Sequence, residues 1–234
     1  MFDFSTQALI EKLTRLMIIF LVLPVHEFAH AWTAKKLGDD TAEYQGRLTL
    51  NPIAHIDLVG GLLLFFTGFG WAKPVPVDPL RFNRKHTLRG GMALTAVAGP
   101  LSNLIAALLG MNIIRIFTLP QFAEVFFQAN IETKLTFPLM LYYFLFYFIQ
   151  INIGLAVFNL LPVPPLDGSK VLAYFLPNKA NGVIRWIEQN QMIVYLVFIV
   201  LLNTSILQIP LSWLSNLIFE ALYFLTGWIP LLFG

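Results

Sequence analysis

Long apolar stretches dominate the hydrophobic pattern of this 234-residue chain. A helix needs about 20 apolar residues to cross a bilayer, because each residue advances it by about 1.5 Å. Four stretches meet this requirement, and we predict helices over about 8–37, 91–119, 137–161 and 192–209. Pro210 interrupts the last of these, since proline cannot donate a helical hydrogen bond. The apolar stretch 211–233 either crosses back or lies in the interface, and we favour a fifth crossing.

The segment 38–90, between the first two predicted helices, has a different pattern. Residues 44–50 alternate weakly and predict a short strand. Residues 58–69 are apolar but short and glycine-flanked, which favours a re-entrant element over a spanning helix. Residues 72–79 contain three prolines and predict an extended loop or an edge strand. The predicted fold class is therefore an all-α polytopic membrane protein with a small membrane-associated β element.

Composition and charge support this interpretation. Hydrophobic residues make up 57% of the chain and charged residues 12%, against about 25% charged in soluble domains. Eight of the 15 Lys and Arg residues lie in 35–90, three more lie in 162–190, and none follows 190. The positive-inside rule places both segments in the cytoplasm, and we expect a multi-pass protein of a prokaryotic cell membrane. It would contact the lipid bilayer and no nucleic acid.

The strongest local motif is HExxH at residues 26–30. On a helix, His26 and His30 share a face and can bind one metal ion, while Glu27 is placed to take a proton from water. These three residues are the only ionisable groups deep in the four stretches of spanning length. Burying them in a bilayer costs several kcal/mol, so a membrane helix that carries them indicates a function. We predict a metal site nearer the cytoplasmic face of the membrane.

A catalytic zinc site usually has three protein ligands, so a third is needed. The chain has no cysteine, which restricts the choice to histidine and carboxylate. His55 and His86 are the remaining histidines, and Asp167 is the other strong candidate. Asp167 follows the third predicted helix on the predicted cytoplasmic side, the side towards which HExxH lies. Its spacing fits an N-cap of the next short helix equally well, so both interpretations stand.

Two motifs taken together resemble the site-2 protease family of intramembrane metalloproteases, peptidase family M50. They are HExxH at 26–30 and NxxPxPxLDG at 159–168. Three further segments are similar to family members, namely NPIAHID at 51–57, GWAKPVPVDP at 70–79 and AGPLSN at 98–103. The resemblance covers about 16–174. The chain resembles a minimal form of the family, without PDZ or CBS domains.

The resemblance implies one Zn²⁺ per chain, bound by His26, His30 and Asp167. It implies that Glu27 is the catalytic base, that Asn159 is catalytic and substrate-binding, and that Asn103 lines the same substrate-binding core. It also implies a zinc metalloendopeptidase that cleaves transmembrane segments of other membrane proteins. We expect a single domain over 1–234, with a three-helix catalytic core over about 8–176 and C-terminal membrane helices over about 191–233.

Three other functions use the same residues. A membrane zinc transporter or sensor would need the ligands but not Glu27, and no second ligand cluster is evident in the sequence. A proteolytically inactive scaffold would be expected to lack a ligand or the glutamate, and all four residues are present. A membrane metallohydrolase acting on lipids or small amides is the third alternative. The combined motifs favour the protease.

Overall fold

A computed structural model of the protein describes residues 6–68, 70–120, 137–177 and 181–233. These residues are mostly helical. The helices are α1 (Thr6–Met17), α2 (Leu23–Lys36), α3 (Thr41–Tyr44), α4 (Pro52–His55), α5 (Leu58–Thr67), α6 (Leu88–Phe117), α7 (Phe137–Asn159), α8 (Asp167–Phe175), α9 (Asn181–Gln189), α10 (Gln191–Leu202), α11 (Ser205–Leu225) and α12 (Trp228–Phe233).

Four helical segments of the described chain are long and apolar enough to cross a membrane. They are Lys12–Lys36, Leu88–Phe117, Leu139–Asn159 and Ser205–Leu232. The protein is thus an integral membrane protein with several spans. The first three segments confirm the first three predicted helices, and the fourth corresponds to the crossing predicted over 211–233.

The predicted helix over 192–209 is wrong in its bounds. α10 ends at Leu202 and is too short to count as a span, whereas α11 begins at Ser205 and continues through Pro210. α10 ends because side chains compete for its last carbonyl groups. Asn203 Nδ2 donates to Ile199 O over 2.8 Å, and Thr204 Oγ1 donates to Leu201 O over 2.6 Å. Pro210 lies in the second turn of α11, where its missing N–H removes only one bond.

The predicted β element is also wrong. Residues 44–50 contain the end of α3 and a turn in which Gly46 has φ +66°, and the described residues contain no β-strand. Residues 72–78 are extended, as expected, but they form only one isolated antiparallel bridge, between Ile56 and Ala72. Pro74 and Pro76 lack the N–H that a ladder requires, so the extended segment cannot extend this pairing into a strand.

The first span departs from α-helical geometry shortly before the HExxH motif. Residues Ile18–Val22 form a π-helical turn between α1 and α2. Pro24 follows in the first turn of α2 and has no N–H for the carbonyl four residues earlier, which favours a wider turn at this point. The change of geometry in the first span is therefore this π turn.

α6 is the central helix of the fold. It packs against α7, α2 and α8, and it therefore joins the two halves of the candidate site. The core between α6 and α7 is apolar and includes Met111, Ile149 and Ile153, which are fully buried. At the end of α6, Arg115 Nη2 donates to Tyr223 O over 2.6 Å, so the C-terminal ends of α6 and α11 lie together. The second and fourth spans therefore run in the same direction.

The glycine-flanked element predicted over 58–69 is the ten-residue helix α5, and residue 69 lies outside the described residues. The chain returns tightly against this helix, since a Cβ atom on Gly70 would lie 2.1 Å from Gly60 O. Arg15 Nη1 donates to Phe65 O and Phe66 O over 2.9 Å each, which ties the end of α5 to α1.

Candidate metal centre

The HExxH motif lies on α2, and both of its histidines are buried. His26 is 4% exposed and His30 is 8% exposed. Residues four apart share a helix face, and the two Nε2 atoms accordingly lie 3.1 Å apart. Both imidazoles therefore direct the same nitrogen to one point inside the protein.

Asp167 joins the two histidines from the other half of the chain. Its Oδ2 atom lies 3.3 Å from His26 Nε2 and 3.2 Å from His30 Nε2. Asp167 is the first residue of α8, whose N-cap position is occupied by Leu166, and no side chain caps this helix. The contacts of its carboxylate with the histidines thus favour the ligand interpretation over the N-cap. Gly168 makes this approach possible, because a Cβ atom there would lie 2.1 Å from Leu160 O.

The second nitrogen of each histidine is held by a group on α6. His30 Nδ1 lies 2.7 Å from the backbone oxygen of Thr95, and His26 Nδ1 lies 2.6 Å from Asn103 Oδ1. A backbone carbonyl only accepts hydrogen bonds, so Nδ1 of His30 must carry the proton. The Nε2 atom of neutral His30 then presents a lone pair.

A chain of three hydrogen bonds gives His26 the same tautomer. Asn152 Nδ2 donates to Phe148 O over 2.8 Å, so Asn152 Oδ1 faces Asn103. Asn103 Nδ2 donates to Asn152 Oδ1 over 2.8 Å, which leaves Asn103 Oδ1 to accept from His26 Nδ1. Both asparagines are buried, at 0% and 1% exposure. The backbone carbonyl of Phe148 therefore determines which nitrogen of His26 faces the site.

This arrangement fits a cation. Two imidazole lone pairs and one carboxylate oxygen converge, and the three donor atoms all lie within 4.8 Å of one another. Without a proton or a cation between them, these atoms would repel each other. Two histidines and a carboxylate are a usual donor set of catalytic zinc. Among the described residues, His26, His30 and Asp167 form the one group of this kind.

Gly99 on α6 leaves the space that the two histidines occupy. A Cβ atom on Gly99 would lie 2.4 Å from His30 Nε2 and 2.6 Å from His26 Cε1. Such distances are far inside van der Waals contact, so only glycine permits this approach of α6 to α2. Gly99 therefore forms a packing notch, and the side chains that fill it are those of the two histidines.

The electrostatics of Asp167 suit a ligand. Burial acts to raise the pKa of Asp167, but the hydrogen bonds and charge interactions that protonated His26 and His30 make with it lower this pKa by more, and a metal cation in the place of those protons acts in the same direction. Its pKa therefore lies well below the ordinary value, and the carboxylate is ionised at neutral pH. Its other oxygen, Oδ1, lies 3.5 Å from Lys170 Nζ, which the sequence analysis did not single out. The two carboxylate oxygens thus face different partners.

Glu27 is held by the extended segment 72–78. Its Oε2 accepts a hydrogen bond from Val75 N over 3.1 Å. The segment itself is fixed on both sides of Val75. Lys73 N donates to His55 O over 2.9 Å, Arg47 Nη2 donates to Lys73 O, and Asp78 N donates to Asp39 Oδ2 over 2.7 Å.

A cavity of about 290 Å³ opens beside the three donor atoms and Glu27. The extended segment lines it with Val75 and Val77, the adjoining Trp71 lines it as well, and α10 contributes Phe198 and Leu202. Most of the other lining side chains are apolar. The site therefore combines a few polar groups with a largely apolar surface, as is usual for ligand cavities.

The asparagines of the sequence analysis lie in different places. Asn159, the last residue of α7, lines the cavity and donates Nδ2 to Leu155 O over 3.1 Å. Asn103 lies behind His26 and is not among the residues that line the cavity. Their catalytic and substrate-binding roles, which the family resemblance implied, stay predictions.

The two other histidine candidates are not in this cluster. His55 is fully buried, and its Nε2 lies 2.7 Å from Thr49 O. His86 is exposed on the surface. Two supporting residues were not predicted, namely Thr95, which holds His30, and Asn152, which holds the Asn103 side chain behind His26. Asn152 could have been found, because a carboxamide in the middle of an apolar membrane helix is costly unless it is bonded.

Comparison with known proteins agrees with this site. The chain matches the Peptidase family M50 over residues 14–204. A Bacillus subtilis (strain 168) protein named "Putative zinc metalloprotease YwhC" is 42% identical over 187 residues, which cover 79% of this chain and 80% of that protein. A Mycolicibacterium smegmatis protein named "Putative zinc metalloprotease Rip2" is 29% identical over 199 residues, or 84% of this chain and 68% of that protein. No solved structure matches the chain.

A helical membrane protein with a buried two-histidine, one-carboxylate cluster has the architecture of a membrane metallopeptidase. The chain belongs to peptidase family M50. It is accordingly a zinc metallopeptidase.

Proposed function

We propose that this protein is an intramembrane protease of the site-2 type, which hydrolyses peptide bonds within or near transmembrane segments of other membrane proteins. The observation that carries the proposal is the depth of the metal cluster. His26 and His30 belong to the candidate span Lys12–Lys36, and His30 lies six residues, or about 9 Å, from its end. A soluble substrate would have little access to such a position.

We assign the metal to His26, His30 and Asp167. Bound zinc supplies a Lewis acid that polarises a carbonyl oxygen and acidifies water. Asn103 and Thr95 O keep the two imidazoles in the tautomer that presents Nε2. Lys170 draws the second oxygen of Asp167 away from the histidines.

Glu27 is the general base in this proposal. The N–H of Val75 donates a hydrogen bond to Oε2 of Glu27, which leaves Oε1 to take a proton from the attacking water. Oε1 then delivers this proton to the nitrogen of the departing amine. One N–H of the Asn159 carboxamide donates to Leu155 O, and its second N–H is available at the wall of the cavity. We assign that N–H to the substrate carbonyl or to the oxygen that becomes negative during attack.

A transmembrane helix hides its amide groups in internal hydrogen bonds, so the substrate must unwind locally before it is cut. The extended segment 72–78 offers it a place to pair. Val75 and Val77 are two residues apart, both line the cavity, and the N–H of Val77 has no partner among the described residues. An extended substrate would accept from this N–H. We assign lateral entry to the side of α5, whose packing depends on glycine.

We also propose that the chain works as one catalytic unit in the cell membrane. The catalytic core comprises about 8–176, and helices from about 191–233 complete it. Lys- and Arg-rich segments flank the site, which supports a position nearer the cytoplasmic face. Phe198 and Leu202 line the cavity, which supports a single unit, because C-terminal helices contribute to the site.

The test is cleavage of a single-pass membrane protein by the purified chain in lipid vesicles. Glu27→Gln should retain zinc and lose about 100- to 10,000-fold in rate, because the general base is removed while the ligands remain. Glu43→Gln is the matched control, since Glu43 pairs with Lys35 on the surface. Full activity of the zinc-loaded Glu27→Gln variant would contradict the proposal.

The same vesicles separate the alternatives. A zinc transporter would carry zinc into vesicles that enclose a zinc-sensitive dye, with or without Glu27. A metallohydrolase of another specificity would cleave lipids or small amides and leave the membrane protein intact. Cleavage of the membrane protein without zinc flux is the expected result.

A further inference from the structure

The fourth span carries polar residues on the face that points away from the rest of the protein. α11 packs against the core of α6 and α7 with four side chains, which are those of Leu211, Ile218, Phe219 and Leu222. Ser212, Asn216 and Glu220 follow each other at intervals of four residues, and all three are exposed. Among the four candidate spans, this one is the least buried by the rest of the described chain.

Asn216 and Glu220 form no hydrogen bond or ion pair with the part of the chain that the structure describes. The hydroxyl group of Ser212 donates to Ile209 O of its own helix over 3.0 Å. Glu220 lies about 160° around the helix from the buried Leu222, since each residue turns by about 100°. The polar face is therefore separate from the packing face, and from the metal site.

Asn216 lies close to the middle of the bilayer. It is 11 residues after Ser205 and nine before Leu225, or about 16 Å and 14 Å from the two ends of α11. Lipid tails offer no hydrogen-bond partner to a carboxamide or a carboxyl group. The cost of exposing such groups indicates that another polypeptide helix covers this face.

We propose that the face Ser212–Asn216–Glu220 binds the same face of a second copy of this chain. Copies that insert in one membrane have the same orientation, so a twofold axis along the membrane normal brings residues of equal depth together. The carboxamide of Asn216 is both a donor and an acceptor, and two copies therefore satisfy each other. Ser212, one turn away, is small enough to let the two helices approach closely.

Hydrogen-bond complementarity favours a second copy over an unrelated partner. A helix with a lysine would match Glu220 by charge. Asn216, however, needs a group that donates and accepts at its own depth, which an identical face supplies. The carboxamide at the centre of the face is thus complementary to itself, and Glu220 lies one turn further along the same face.

Single cysteines test this pairing cleanly, because the natural chain contains no cysteine. Leu217→Cys places a thiol next to Asn216. Leu109→Cys is the control on α6, where the exposed fraction is 60% compared with 51% at Leu217. Leu109 lies six residues before Arg115, and Leu217 lies six residues before Tyr223. Because Arg115 and Tyr223 are in contact and the two helices run in the same direction, the two thiols lie at a similar depth in the membrane. A short bismaleimide should crosslink Leu217→Cys into dimers in vesicles at least fivefold more than Leu109→Cys.

Substitutions of the polar residues in the Leu217→Cys chain complete the test. Asn216→Leu should reduce the crosslinked dimer severalfold, whereas Glu220→Gln should retain it, because glutamine still donates and accepts. Zinc content reports whether each variant is folded. Three results would overturn the proposal. The first is equal crosslinking at positions 109 and 217, and the second is dimers that persist in an Asn216→Leu, Glu220→Leu double variant. The third is single-step photobleaching of the labelled wild-type chain. A crosslink at position 217 to a different protein would overturn it as well.

Discussion

Nδ1 of His26 lies 2.6 Å from Oδ1 of Asn103, and this contact determines which nitrogen of His26 faces the metal. The orientation of Asn103 depends in turn on Asn152 and on the carbonyl of Phe148. Two adjacent spans, α6 and α7, therefore cooperate to prepare a ligand on a third, α2. Such support usually contributes substantially to metal affinity.

The Asn103→Leu variant should bind zinc about 10- to 100-fold more weakly, because nothing then holds the proton on Nδ1 of His26. Asn103→Asp should restore most of the affinity, since its carboxylate oxygen still accepts from Nδ1. Chelator competition measures both. Asn112→Leu is the control on the same helix, because Asn112 donates to Leu108 O and has no other hydrogen-bond partner in the described part of the chain. Equal zinc affinity in the Asn103→Leu and Asn112→Leu variants would show that the contact does not support the metal.

The Gly99→Ala variant should lose zinc and be destabilised by about 1–3 kcal/mol, because its methyl group would overlap both imidazoles. Gly154→Ala, in the neighbouring span α7, is the control, since a Cβ atom there meets nothing within 4 Å. Zinc content and the thermal midpoint are measured together. If alanine at position 99 is tolerated as well as at position 154, α6 does not pack on the histidines as described.

The Val77→Pro variant tests where the substrate pairs. The N–H of Val77 has no partner among the described residues, so its removal should leave zinc content unchanged. The thermal midpoint should fall no further than in Val77→Ala, because both variants lose the valine side chain that packs beside Leu37 and Phe82. The KM for a membrane substrate should rise about tenfold, which corresponds to one hydrogen bond of about 1.4 kcal/mol. Val77→Ala keeps the N–H and controls for the lost side chain. A KM that rises equally in the alanine variant would assign the effect to the side chain.

The sequence predicted the local part of the site well and the distant part poorly. His26, Glu27 and His30 lie within two helical turns, so their geometry follows from helical periodicity. Asp167 lies about 140 residues further on, and only the family resemblance favoured the ligand over the N-cap. Thr95 contributes a backbone carbonyl, which no side-chain pattern reveals. Asn152 could be recognised in the sequence as a polar residue in an apolar helix, but the sequence did not show that it bonds to Asn103.

The errors in the fold have local physical causes. Prolines at positions 74 and 76 make the segment 72–78 extended but prevent it from forming a ladder, so the predicted extended loop or edge strand forms a single bridge. Pro210 looked like a helix end, yet α11 continues through it with the loss of one backbone hydrogen bond. Asn203 and Thr204 terminate α10 instead, through side-chain bonds to its last carbonyls. These short side-chain bonds are difficult to recognise in a sequence.

The most direct test of the metal centre is the zinc content of the purified Asp167→Asn variant. Asparagine keeps the shape of the side chain and removes the charge of the ligand. Asp57→Asn is the control, because Asp57 caps α5 and asparagine is an equally good N-cap. If Asp167 is a ligand, the wild-type chain and the Asp57→Asn variant each bind one zinc ion per chain. The Asp167→Asn variant loses its zinc to a chelator concentration at which the other two proteins keep theirs. One zinc retained by Asp167→Asn with unchanged affinity would contradict the assignment of the third ligand.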